Sequence, residues 1–160
     1  MKNAIMRFVG DYEFMSSFFI LENPVRFADM NYWAVENGSV AGKTTNPSIR
    51  YRISQMNPWQ AKGFGKKILE KNISANPEWN DDFRVGLMEE LVFQKFSKNP
   101  ELKEKLIETG DRKIVEGNTW HDNFFGICFC GKCPEEKQRP KEQHNHLGII
   151  LMNVRGKLKE

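Results

Sequence analysis

Residues 80–110 read NDDFRVGLMEELVFQKFSKNPELKEKLIETG, and their periodicity decides the fold. Asn80 or Asp81 is a cap-type residue, and Val85, Met88, Leu91, Val92 and Phe96 follow at steps of 3, 3, 1 and 4. That spacing puts five apolar side chains on one stripe of a long amphipathic helix. Asn99-Pro100-Glu101 then starts a second helix, with Asn as cap, Pro at the first helical position and an acid in the first turn. Leu102, Leu106 and Ile107 supply its apolar face, and Gly110 closes it.

Downstream, Lys113-Ile114-Val115 predicts a short strand, and a last helix runs from about Asn145 through LGIILMNVRGKLKE. Between them, residues 119–146 (TWHDNFFGICFCGKCPEEKQRPKEQHNH) follow neither the helix nor the strand period. So long a loop in a small domain is uncommon unless it is functional or pinned by a metal. Upstream, PWQAKGFGKKILEKNI predicts a helix from Pro58 to about Ile73, broken by Asn76-Pro77. Phe14–Leu21 (FMSSFFIL) reads as a buried strand or a short turn, ended at Asn23-Pro24. Residues 25–38 (VRFADMNYWAVENG) start extended and turn helical near Tyr32, with Gly38 and Gly42 weakening any helix there. The expected class is therefore α+β, predominantly α, with a few short strands.

The 160 residues, 39% hydrophobic and 28% charged, fit one globular domain over 1–160. A net charge of +3 gives little support to binding of nucleic acid or anionic membrane by overall charge. No run is apolar enough to span a bilayer, and MKNAIMRFVGDYEF meets charges too soon for a signal peptide. The expectation is a cytoplasmic protein with no membrane partner. Its three cysteines, crowded at Cys128, Cys130 and Cys133, do not form a disulfide framework.

Four groups of residues offer chemistry, each beside a plainer alternative. Trp120-His121-Asp122-Asn123 gathers a ring face, an imidazole, a carboxylate and an amide, suited to a base and sugar hydroxyls or simply to a turn over the core. Glu36 and Lys43 would share a face two turns apart if their run is helical, as base or cation stabiliser and phosphate contact, or as a solvated pair. Cys128, Cys130 and Cys133 with His144 or His146 beyond are the donors of a three-Cys, one-His zinc site, or reduced thiols in a loop. Lys62, Lys66 and Lys67 around Gly63-Phe64-Gly65 lack a full phosphate-loop pattern and read as a solvated helix face or the lining of an anionic pocket.

Together these stretches resemble the NADAR, or YbiA-like, family of N-glycosidases over almost the whole chain. FMSSF at 14–18 is similar to the family's FLSNF, AVENGSVAGK at 34–43 to its SVEHAYQAAK, and NPWQAKGFGKK at 57–67 to its segment with a central AK. Trp79 with residues 87–117, WHDNFFG at 120–126 and NHLGIILMNVR at 145–155 resemble its later tryptophan, helix and LG–LM–R motifs. Departures fall at Ser17, Asn37, Ser39, Val40 and Phe125, while Glu36, Lys43, Asp122, Gly126, Asn145 and Arg155 match. The Cys-rich stretch between Gly126 and Asn145 is absent from the shortest family pattern.

The resemblance implies a single YbiA-like domain that cleaves a C–N bond between ribose and a base or amine, with no cofactor and no catalytic metal. Implied substrates are riboflavin-pathway phosphoribosylamine intermediates or ADP-ribosylated guanine in DNA, so the partner is a nucleotide-like N-glycoside or an ADP-ribosylated nucleic acid. Glu36 would be the catalytic carboxylate, with Asp122 sharing that role or holding ribose hydroxyls. Lys43, Arg155, Trp120, Phe125, Gly126, Asn145 and Ser17 would bind substrate. The departures also fit a non-catalytic module that binds ADP-ribose or a nucleotide.

Overall fold

In the computed structural model, which describes residues 3–160, Ala28 and Asp29 both adopt positive φ, 49° and 64°. Two such residues make the tight turn that matches strand twist, and they join β1 (Val25–Phe27) to β2 (Met30–Tyr32) in an antiparallel hairpin. A hairpin therefore replaces the single extended run expected here, and the helix begins at Val35 rather than near Tyr32. That helix, α1 (Val35–Ala41), is almost wholly buried.

The contacts between residues divide the chain into two compact units, Ser17–Leu102 and a second made of the residues up to Ser16 with Lys103–Glu160. In the first unit α1 is followed by α2 (Pro47–Ser54), α3 (Pro58–Glu70) and α4 (Asp81–Lys98). Asparagine opens each: the Asn46 and Asn80 side chains accept backbone N–H groups at the starts of α2 and α4, and Asn57 forms a reciprocal capping box with Gln60. The chain then enters α5 (Pro100–Glu108). There Asn99 does something else, since its amide joins Asn23 and the Lys95 carbonyl.

The expected weakness of α1 at Gly38 and Gly42 becomes its packing device. A Cβ at Gly42 would lie 2.4 Å from Leu87 of α4, and one at Gly38 would lie 3.0 Å from Leu91. The two glycines let α1 approach α4 at backbone distance, which offsets their poor helix propensity. The stripe on α4 is correspondingly shifted: Leu87, Met88, Leu91, Val92 and Phe96 are buried with Lys95, while Val85 is only half-buried.

In the second unit, Gly10–Met15 is a 3-10 helix, so the FMSSF stretch starts in a helical turn and not in a strand. Ile114 pairs with Ile5 in parallel as a single bridge, the remnant of the expected 113–115 strand. β3 (Gly117–Asn118) pairs in parallel with β4 (Ile127–Cys128), and α6 (His146–Leu158) closes the chain. Its first N–H groups, which no helix can satisfy internally, meet the loop before it: His146 and Leu147 donate to the carbonyls of Phe124 and Phe125. Among the described residues helices dominate and the strands are few and short, and no helix is long and apolar enough to cross a membrane.

Candidate functional site

Glu36 lies in the first turn of α1 and is half-buried. Ser17 holds it twice: the Ser17 hydroxyl donates to Glu36 Oε2 at 3.1 Å, and the Glu36 N–H donates to the Ser17 carbonyl at 2.9 Å. A carboxylate at the positive end of a helix that also accepts from a hydroxyl is held in one orientation. Ser17, a departure from the family pattern, thus retains a polar contact to the carboxylate.

Lys43 follows the end of α1, its backbone N–H bonded to the Val40 carbonyl and its own carbonyl accepting from Asn76 at 2.7 Å. Its Nζ sits over the Trp79 ring, 5.6 Å from the centroid, and close enough to Gly65 of α3 that a Cβ there would lie 3.2 Å away. Burial holds the Lys43 ammonium below the usual lysine value, Glu36 works against that, and Arg84 and Lys62 add to it. One carboxylate and three cations therefore act on the same volume. Lys62 also lies over Phe18, 5.5 Å from its centroid, and Phe18 meets the exposed Trp59 edge-to-face at 5.0 Å.

Sequence periodicity left Lys62 open between a solvated face and a pocket lining, and the structure joins it to the Glu36–Lys43 cluster. Arg84 lies in no motif, and Phe18 and Trp59 lie within FMSSF and NPWQAKGFGKK without being singled out there; the fold collects the three. Asn37, beside Glu36, is buried with its amide donating to the carbonyls of Ile53 and Met56, so it ties α1 to the end of α2.

The other candidates lie in the second unit, where most of their polar atoms meet protein. Asp122 Oδ1 accepts the N–H groups of Phe124 and Phe125 at 2.9 and 3.0 Å, which folds the 122–125 turn, and Oδ2 accepts none among the described residues. Buried Asn145 accepts from the Glu116 N–H and donates to the Ile114 carbonyl. A Cβ on Gly126 would lie 2.3 Å from the Glu116 carbonyl oxygen. Arg155, also buried, donates to Thr109 Oγ1 and the Arg112 carbonyl; burial lowers its pKa, and Asp111 opposes that. Asn145 and Arg155 thus hold the frame of their unit. Trp120 is exposed, and Phe125 packs edge-to-face on Phe124.

His144 does not join the cysteines, because its Nε2 is 2.7 Å from the Arg139 carbonyl. The imidazole beside them is His121, read from the sequence as part of a set suited to a base and sugar hydroxyls or simply to a turn.

A mainly helical α+β chain that brings an oriented carboxylate, clustered cations and aromatic rings together is suited to an anionic ligand with a planar group. The chain belongs to the NADAR domain family, whose model matches residues 8–159 and so runs through both units. An N-glycosidase of Acanthamoeba polyphaga mimivirus is 36% identical over 94 residues, 56% of this chain and 53% of the relative. An N-glycosidase of Nostoc punctiforme is 35% identical over 82 residues, 51% of this chain and 45% of the relative. The chain thus spans about half the length of the curated relatives it matches. The NMR structure of Escherichia coli YbiA shares the fold, with a TM-score of 0.77 at 22% identity over 99% of this chain and 87% of that one.

Proposed function

We propose that the protein is an N-glycosidase that hydrolyses the C–N bond between ribose and a base or amine in a phosphoribosyl or ADP-ribosyl substrate. The observation that carries this reading is Glu36, oriented by Ser17 and sharing its field with Lys43. As the bond breaks, its electron pair leaves with the base and positive charge develops on the sugar. An ionised carboxylate stabilises that oxocarbenium-like centre or removes a proton from the water that adds to it, and the departing nitrogen takes up a proton. Lys43 and Lys62 supply charge for phosphate, and Trp79, Phe18 and Trp59 offer faces for a base. Substrates of the proposed kind are ADP-ribosylated guanine in DNA and riboflavin-pathway phosphoribosylamines.

The test is release of base or amine from both substrate types, followed by chromatography. Release from one of them well above the spontaneous rate supports the reading. The competing reading, a binding module, takes its motive from Asn37, whose amide is occupied by backbone carbonyls. Calorimetric binding of ADP-ribose with no release from any ribosyl N-glycoside would establish that alternative.

A further inference from the structure

His121 Nδ1 and the sulfurs of Cys128, Cys130 and Cys133 all lie within 4.8 Å of one another. Cys130 Sγ is 3.4 Å from His121 Nδ1 and 3.6 Å from Cys133 Sγ, and Cys128 Sγ is 3.9 Å from the same nitrogen. Around a tetrahedral zinc with bonds of about 2.3 Å to sulfur and about 2.0 Å to nitrogen, neighbouring ligand atoms stand about 3.5–3.8 Å apart. A disulfide needs about 2.05 Å, and all three cysteines are free. From this we infer that His121, Cys128, Cys130 and Cys133 form a binding site for a divalent, thiophilic metal, zinc by preference. The inference is independent of the proposed catalysis.

The surroundings are those of thiolate ligands. Every sulfur has an N–H directed at it: Cys130 N–H to Cys128 Sγ at 3.5 Å, Lys132 N–H to Cys130 Sγ at 3.4 Å, and Asn123 Nδ2–H to Cys133 Sγ at 3.2 Å. Such donors offset negative charge on sulfur and orient the ligands. Buried Asn123 also accepts from the Cys128 N–H at 3.0 Å, so one side chain braces two of the four ligands. Gly131, at φ +80°, makes the turn between Cys130 and Cys133, and His121 is itself left-handed at φ +71°. Binding replaces three S–H bonds by three metal–sulfur bonds and releases three protons to solvent. Neutral His121 gives its Nδ1 lone pair, and with Zn2+ the site carries one net negative charge.

Four protein donors close a tetrahedral site, so the metal is structural and not hydrolytic. It would serve a stretch with little apolar material of its own: from Phe129 to Gln143 every residue is exposed except half-buried Cys133 and Arg139. His121 is flanked by Trp120 and Asp122, so the same metal fixes the turn that meets the start of α6.

The test uses the full chain, purified untagged and without chelator, with metal measured by mass spectrometry and by cobalt replacement. The expected result is one zinc per chain, and a Co2+ form with intense thiolate charge-transfer absorption and tetrahedral visible bands. Cys130→Ser and His121→Ala should each weaken metal binding at least tenfold, while His144→Ala should not change it. A chain that takes up less than about a tenth of an equivalent of zinc under reducing conditions, or a cobalt spectrum without thiolate bands, would overturn the proposal. So would unchanged affinity in His121→Ala. Because the wild-type cobalt spectrum needs no variant, poor folding of a substituted chain leaves the test intact.

Discussion

Glu36 and Asn145 both match the family pattern, yet their surroundings are opposite. Around Glu36, in residues 17–102, one carboxylate shares its field with three cations, and exposed or half-buried rings stand nearby. Around Asn145, the amide joins backbone groups of Glu116 and Ile114, and Gly126 is a glycine because a carbonyl lies against it. Agreement with a family motif therefore mixes two kinds of residue, those in a cluster of charges and rings and those whose polar groups hold the frame. Hydrogen-bond partners separate them; sequence alone does not.

The comparison breaks most visibly at Gly126. Gly126→Ala forces a methyl against the Glu116 carbonyl at 2.3 Å and should cost about 3 kcal/mol or more, read by denaturant unfolding. If the variant melts like the wild type, the frame reading of this loop fails. Asn145→Ala orphans a buried N–H and a buried carbonyl, with an expected loss of about 2–3 kcal/mol. Its Michaelis constant, measured below the melting transition, should stay near that of the wild type. A raised constant with unchanged stability would move Asn145 to the substrate.

Two lysines of the first unit sharpen the contrast within it. Lys95 is buried in α4 and its pKa is pushed down to about 7 by that burial. The unfolded chain keeps this proton up to about pH 10.4, so between the two values the unfolded state binds more protons and stability rises with pH. The difference in unfolding free energy between wild type and Lys95→Met should change by up to about 1.4 kcal/mol per pH unit in that window and be flat below it. Lys43→Met should not destabilise the fold, because burial already disfavours the ammonium there, and should raise the Michaelis constant about tenfold, an effect that high salt reduces. Because its pKa is also lowered, wild-type affinity for an anionic substrate should fade at a lower alkaline pH than an ordinary lysine would give.

Much of the fold was legible because its signals are local. The Asn99-Pro100 start, the α4 stripe and the last helix depend on spacing and capping and are readable to within a few residues, whereas α2, which opens at Asn46-Pro47, is a short helix the sequence reading does not contain. The hairpin was not, because Ala28 and Asp29 are not the residues that a two-residue turn ordinarily prefers. Gly38 and Gly42 misled for the complementary reason: their use appears only once α4 lies against them. At the candidate site, Glu36 and Lys43 were readable as a pair, whereas Lys62 and Arg84 reach them through tertiary packing alone. For the cysteines, the sequence offered His144 or His146 beyond them as the fourth donor, but the left-handed turn at His121 brings that imidazole to the sulfurs instead.

Turnover of a ribosyl N-glycoside by Glu36→Gln at saturating substrate is the most direct test of Glu36 as the chemical centre. The exchange keeps size and a hydrogen-bond acceptor for Ser17 while removing the charge. The predicted result is a fall in kcat of about 100- to 10,000-fold, with unchanged melting and little change in substrate affinity. A kcat within a few-fold of wild type would contradict the assignment and move the chemistry away from α1.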